Sequence, residues 1–349
     1  MNPARPMLTS LLRASQCALT CTLLFGFLAA SPAHADGGDP LVEQRDVQGW
    51  LKKIQSAAQK LNYAGTFVYQ QANQVRASRI THFVDGRNEL EKLEILDGRP
   101  REYIRSNEDI TCYIPENRSI LVEKRTTPEF FPGMLAANAT EIAEHYDVKK
   151  GEGGRVAGYE FSSIELTPRD NLRYGYRLWT EKNSGLLLRA QIINERHEVV
   201  EQITFAQVVI GGIDKNSVRP TFANTFGWHV ENVSPNQSYQ SGWSVNAVPP
   251  GFAKIHEIRR SVPNAPANLL TGGGPPGVHD VSQLVFSDGL AAISVFVEPS
   301  LQNRVEGPMQ QGAMNIIGKR QGDFWLTVVG EVPAAAIRQV ANSIEFKSR

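Results

Sequence analysis

The side chains best suited to chemistry in this chain do not assemble into a catalytic signature. Beyond residue 35 the histidines are His82, His145, His197, His229, His256 and His279. None stands at short spacing from another histidine or a cysteine, as a metal site would favour. His197-Glu198 and His256-Glu257 begin like a zinc-protease motif, but four residues after each histidine stand Glu201 and Arg260. No Gly-x-Ser-x-Gly elbow is present for a serine nucleophile. A cysteine hydrolase built on Cys112 and a distant histidine would rest on composition alone. The glycine cluster Thr271-Gly272-Gly273-Gly274-Pro275-Pro276-Gly277 lacks the Gly-Lys-Ser/Thr of a phosphate loop, and its prolines remove backbone donors. Carboxylate pairs such as Glu89 and Glu91, or Glu91 and Glu94, are ordinary on solvated surfaces. The expectation is a binding protein with no catalytic residue, no metal and no cofactor.

The start of the chain sets its compartment. Arg5 and Arg13 precede an apolar run from Cys17 to Ala30, and no acidic residue occurs before Asp36. Ala33 and Ala35 give the small-x-small pattern of a signal peptidase site, so residues 1–35 read as a cleaved secretory signal. Cys17 and Cys21 leave with it, and Cys112 alone cannot form an internal disulfide. It lies in the strand-like run Ile110–Ile114, where burial as a small apolar residue is its ordinary role. Basic and acidic residues balance at 36 each. That leaves no general electrostatic attraction to nucleic acid. A soluble protein of two domains outside the cytoplasm follows.

An amphipathic helix is expected from about Asp46, its N-cap, to Leu61. Val47, Trp50, Leu51, Ile54, Ala58 and Leu61 recur at three- and four-residue steps. From Tyr63 to Ile210 the period shifts towards two. Turn signals fall at Asp85-Gly86, Asp97-Gly98, Pro115-Glu116-Asn117 and Asn183-Ser184-Gly185. Many strands after one helix imply a large antiparallel sheet that curves over its apolar face, with the helix packed there. Residues 36–210 are thus assigned to an N-terminal domain. Arg125–Thr140 breaks the meander with Pro128, Phe130, Phe131, Pro132, Met134 and Leu135, and serves either as a cover on the core or as a lid. Residues 211–241, rich in Asn, Ser and Pro, read as a linker partly docked through Phe222, Phe226 and Trp228. Residues 242–349 form a smaller α+β domain. Its strongest strands, Val281–Phe286 and Ala291–Val297, flank Ser287-Asp288-Gly289, and a terminal helix opens at Pro333 with Ala336, Val340 and Ile344 along one face.

A curved sheet with a helix and a cover could enclose a greasy ligand. The candidate lining is Trp50, Tyr63, Phe67, Tyr69, Phe83, Phe130, Phe131 and Met134; each also suits a solid core. These runs resemble a known family. Tyr63-Ala64-Gly65-Thr66-Phe67-Val68-Tyr69, Ser78-Arg79-Ile80-Thr81-His82, and Glu91-Lys92-Leu93-Glu94 with Leu96-Asp97-Gly98-Arg99-Pro100-Arg101-Glu102 are similar to the N-terminal domain of the RseB/MucB family. Val281–Pro299 and Val329-Gly330-Glu331-Val332-Pro333 resemble its C-terminal domain.

The resemblance implies a periplasmic negative regulator of the envelope-stress sigma factor, sigma-E or AlgU. Such a protein binds the periplasmic region of a single-span anti-sigma factor, RseA or MucA, and shields it from site-1 proteolysis. Lipopolysaccharide or a related lipid displaces it. The implied fold is mostly β: a LolA-like half-open antiparallel β-barrel with a packed helix, plus the smaller α+β domain. The preferred partner contact is Ser287, Asp288, Gly289, Leu290, Val295, Phe296 and Val297, because a hairpin tip and an apolar strand offer backbone and side chains together. The same run suits a buried central strand equally. A LolA-like lipid or lipoprotein carrier is the alternative, and an envelope hydrolase a third. Which lipid acts, and whether a homo-oligomer forms, are left open by the sequence.

Overall fold

Helix α1 (Pro40–Lys60) begins six residues earlier than the sequence suggests and runs through Asp46. Proline suits the first helical turn, where its missing N–H has no partner to lose. The chain is described from a computed structural model covering residues 40–124, 131, 139–233, 239–263, 278–300 and 304–347. Of the face of α1 read from the sequence, Leu51, Ile54 and Ala58 are buried and Trp50 is half-buried against the same core; Ala57, not read as part of that face, is buried as well, and Leu61 falls one residue past the helix end.

After α1 come β1 (Tyr63–Gln71), β2 (Gln74–Asp85), β3 (Asn88–Ile95), β4 (Arg101–Ser106), β5 (Asp109–Ile114) and β6 (Ser119–Lys124). Then follow α2 (Ala139–His145), β7 (Tyr146–Lys150), β8 (Gly154–Val156), β9 (Tyr159–Pro168), β10 (Gly175–Glu181), β11 (Leu187–Ile193), β12 (Val199–Ile210) and β13 (His229–Val233). They make one 13-stranded sheet in which β1 pairs both β2 and β12. The sheet ends on β13 and β7, which do not meet, so it stays open. Gly86 and Gly98, with positive φ, make the expected turns. Between Thr66 and Phe67 the register with β12 shifts by a bulge. Just before it, a Cβ on Gly65 would lie 2.5 Å from the Gln207 carbonyl oxygen, so only glycine allows this approach.

Of the stretch 211–241, read as a partly docked linker, residues 211–233 are built onto this sheet. Lys92 Nζ donates to Thr221 Oγ1, the Thr221 amide donates to Glu102, and Phe222 and Trp228 pack on Tyr113. Strand β13 then pairs parallel with β6, the one departure from the expected antiparallel pattern among these pairs. Phe226 does not dock; it is 97% exposed.

The remaining elements are β14 (Trp243–Val245), β15 (Ala253–Pro263), β16 (Val278–Ser287), β17 (Ala292–Pro299), β18 (Gly307–Gln311), β19 (Met314–Gln321), β20 (Phe324–Gly330), α3 (Ala334–Asn342) and β21 (Ile344–Phe346). A six-stranded sheet runs β15-β16-β17-β20-β19-β18, and β14 pairs β21. Helix α3 buries Ala336, Ile337 and Val340 on it. Ile344, expected on that helix, lies beyond it in β21, because the helix ends at Ser343. The mostly β expectation, with an open sheet, packed helix and smaller α+β part, is borne out. Both sheets lie within one compact unit, Leu41–Arg349.

Candidate functional site: the concave face and the seam between sheets

On the concave face, alternate residues of β1 point inward. Tyr63 stacks on His82 at 4.8 Å, and Phe67 meets Phe131 edge-on at 5.6 Å. Phe131 also packs against Phe205 at 5.1 Å. Tyr63, Phe67 and Phe131 are buried, so these rings fill one another's space in this state. Phe130 and Met134 lie outside the described residues, as do most of Arg125–Thr140 and the glycine cluster 271–277.

Phe83 departs from the expected lining. It follows His82, whose ring stacks on the concave side, and neighbouring strand residues face opposite ways. It therefore belongs to the outer face. Tyr69 is inward but polar in role: its hydroxyl donates to Glu201 at 2.6 Å. Burial and that bond hold its proton well above the usual tyrosine range.

Beside Tyr63, polar groups close one side of this face. His82 lies 2.9 Å from Glu89, which also takes a 2.6 Å bond from Arg105. Burial alone would raise the Glu89 carboxyl, but the bonds from His82 and Arg105, with the Arg105 charge, lower it to about 2. Burial pushes the Cys112 thiol up and keeps it in the unreactive protonated form.

The second group of candidates is committed within the chain. Strand β17 pairs β16 on one side and β20 on the other, so its backbone groups are spent. Val295 and Val297 are buried in the second core, and only Phe296 among these side chains is half-open. Of the two readings of this run, the geometry is that of the buried central strand, with both backbone edges of β17 paired within the chain. Ser287 and Asp288 organise the turn instead: Asp288 Oδ1 accepts the Leu290 and Ala291 amides, and Gly289 supplies φ +86°. Leu290 is buried in the core of the first sheet.

That turn belongs to a seam which no spacing in the sequence announced. The Arg173 guanidinium donates to Asp288 at 3.0 Å, to Asp170 at 3.1 Å and to the Pro250 carbonyl. It lies between the rings of Tyr146 and Phe252, fully buried. Burial raises the Asp288 carboxyl above its ordinary value despite Arg173 and the turn amides. Alongside, the β18–β19 tip enters the first core through Ala313. Its amide donates to Glu201 at 2.7 Å, and Gln71 bridges Glu201 and the Gln311 carbonyl at 2.6 and 3.1 Å. Asn315 donates to Tyr174 and to the Val332 carbonyl. A cavity of about 560 Å³ opens along the seam, with Tyr174, Arg196, Asn315, Pro333 and Arg338 in its wall. Among the described residues, no helix is long and apolar enough to cross a membrane.

Comparison with known proteins places this geometry. The MucB/RseB N-terminal domain profile matches residues 46–222, and the MucB/RseB C-terminal domain profile matches 237–345. The sigma factor AlgU regulatory protein MucB of Pseudomonas aeruginosa is 29% identical over 332 residues, 92% of this chain and 95% of its own. The sigma-E factor regulatory protein RseB of Salmonella typhimurium is 26% identical, covering 85% of this chain and 90% of its own. The structure of the Pseudomonas aeruginosa MucA/MucB complex superposes with a TM-score of 0.67 at 26% identity, over 87% of this chain and all of that one. MucB in complex with MucA(peri) gives 0.65, with the same identity and coverage.

Proposed function

The chain belongs to the MucB/RseB family, and from that premise we propose that it is a periplasmic regulator of an envelope-stress sigma factor. It binds the periplasmic region of a single-span anti-sigma factor of the RseA/MucA kind and keeps that region from site-1 proteolysis. The observation that carries this reading is the two-sheet architecture, matched over 87% of this chain by a relative whose structure was solved in complex with MucA. A carrier of the LolA type needs only the one curved sheet, whereas this chain seats a second sheet on the first through the buried Arg173–Asp288 pair and the Ala313 amide on Glu201.

The physics is linked binding. A protease requires an extended, accessible stretch, so a partner that covers it lowers the cleavable population. A lipid reverses this by no more than its difference in affinity for the bound and released regulator. The concave face is the proposed lipid site. Phe131, wedged between Phe67 and Phe205, is the ring whose withdrawal would admit an acyl chain. Lipopolysaccharide is the proposed signal.

Co-purification tests this directly. The exported chain, tagged at its C-terminus, retains the membrane-anchored anti-sigma factor from detergent-solubilised envelopes, and lipopolysaccharide elutes it. Retention of lipoproteins without the anti-sigma factor would instead support a lipoprotein carrier.

A further inference from the structure

The β18–β19 tip is fitted to the first sheet more closely than a passive contact requires. Gly312 has φ +58°, and a Cβ there would run into the Gln71 side chain and sit 2.6 Å from Glu201 Oε1. Ala313 is fully buried in the first core. Three donors converge on one carboxylate, Glu201, which takes Tyr69, Gln71 and the Ala313 amide, and Gln71 also reaches the Gln311 carbonyl of the tip. A second carboxylate, Glu331, follows β20, held at the base of the tip between Gly330, which pairs with Asn315 of β19, and Val332, whose carbonyl accepts the Asn315 side-chain amide. It is half-buried, and among the described residues it forms no ion pair.

We propose that the β18–β19 tip and Glu201 form a reversible latch between the two sheets, tightened by acid through protonation of Glu331. The groups that face Glu331 electrostatically are Glu201 on β12, Tyr69 on β1 and Tyr176 on β10; none supplies a positive charge. Burial first, and then the Glu201 charge, push the Glu331 carboxyl from 4.5 up to about 7. The docked state therefore holds a proton that the undocked, solvated Glu331 releases near its ordinary value. Docking is strongest below 4.5, weakens as pH rises from 4.5 to about 7, and levels off above. Between pH 5 and 8 this shift amounts to a fall on the order of 50-fold in the docking constant.

Amide hydrogen exchange on the full chain reads the latch without any partner or lipid, so its outcome is separate from that of the regulatory reading. The probe is the Ala313 amide, with protection expressed relative to its intrinsic exchange rate at each pH. The Val328 amide, inside the second core, serves as the control for global unfolding. Ala313 protection is expected to fall on the order of 50-fold from pH 5 to 8 in the wild type, while Val328 holds. In Glu331→Gln the Ala313 fall is expected to shrink to less than about 3-fold, because the isosteric amide does not titrate in this range. A wild-type Ala313 amide equally protected at both pH values overturns the latch, as does a Glu331→Gln variant that repeats the wild-type fall. Should that variant not fold, the wild-type profile alone decides.

Discussion

Replacing Arg173 with methionine should destabilise the protein by about 3–5 kcal/mol at pH 8. The side chain is fully buried, its main cross-seam partner Asp288 is 2% exposed, and its guanidinium also holds Asp170 and the Pro250 carbonyl. Methionine fills much of the same volume, so the lost term is electrostatic: Asp288 is left as a buried carboxylate without its cation. Asp288 already sits above its ordinary value because of burial, and loss of Arg173 drives it higher. A raised carboxyl contributes stability below its unfolded value and loses it as pH climbs through the folded one. The penalty of Arg173→Met is therefore larger at pH 8 than at pH 5. Adding Asp288→Asn removes the stranded charge while keeping an acceptor for the Leu290 and Ala291 amides. The double variant should recover about 1–2 kcal/mol relative to Arg173→Met. Urea unfolding, followed by circular dichroism and tryptophan fluorescence, measures all four members of the cycle. An Arg173→Met protein within about 1 kcal/mol of wild type, with no pH dependence in the difference, would refute a buried charge as the seam's anchor.

Three other outcomes follow from the same packing. Gly312→Ala places a methyl into Gln71 and Glu201 at positive φ, so it should cost about 1–3 kcal/mol. Faster exchange of the Ala313 amide would accompany that loss. Glu89, held down to about 2 by His82 and Arg105, contributes stability above pH 4.5 that disappears as pH falls towards 2. Glu89→Gln should remove about 2–3 kcal/mol at pH 7 and almost none at pH 2, as urea midpoints at the two values will show. Cys112, buried with a raised thiol, should react with an aromatic disulfide reagent only as fast as the protein opens. A burst of labelling in the native state would place it on an accessible surface.

What the sequence made legible was set by local periodicity. Leu51, Ile54 and Ala58 declare their helix face through i, i+3, i+4 spacing, and Asp85-Gly86 and Asp97-Gly98 declare their turns. Residue type groups Phe83 with the lining, whereas alternation along β2, with His82 inward opposite Tyr63, turns it to the other face. The 211–233 stretch carries the composition of a linker, yet Thr221 and Trp228 find partners on β3, β4 and β5. Long-range pairing of that kind leaves no periodic trace. The seam was the least visible part: Arg173 and Asp288 lie 115 residues apart, and nothing in their neighbourhoods distinguishes them from surface charges. Asp288-Gly289 reads as a turn, but its apolar sequel fits a partner-contact strand and a buried central strand equally, and it is β20 that pairs with it. Only the tertiary fold decides whether an apolar strand is central or open.

The most direct measurement is the rate at which the site-1 protease cuts the purified periplasmic segment of the anti-sigma factor as this chain is titrated in. Shielding by occupancy predicts a rate that falls hyperbolically towards zero as the regulator saturates its partner, and that lipopolysaccharide restores. A cleavage rate unchanged at saturating regulator would contradict the account at its centre.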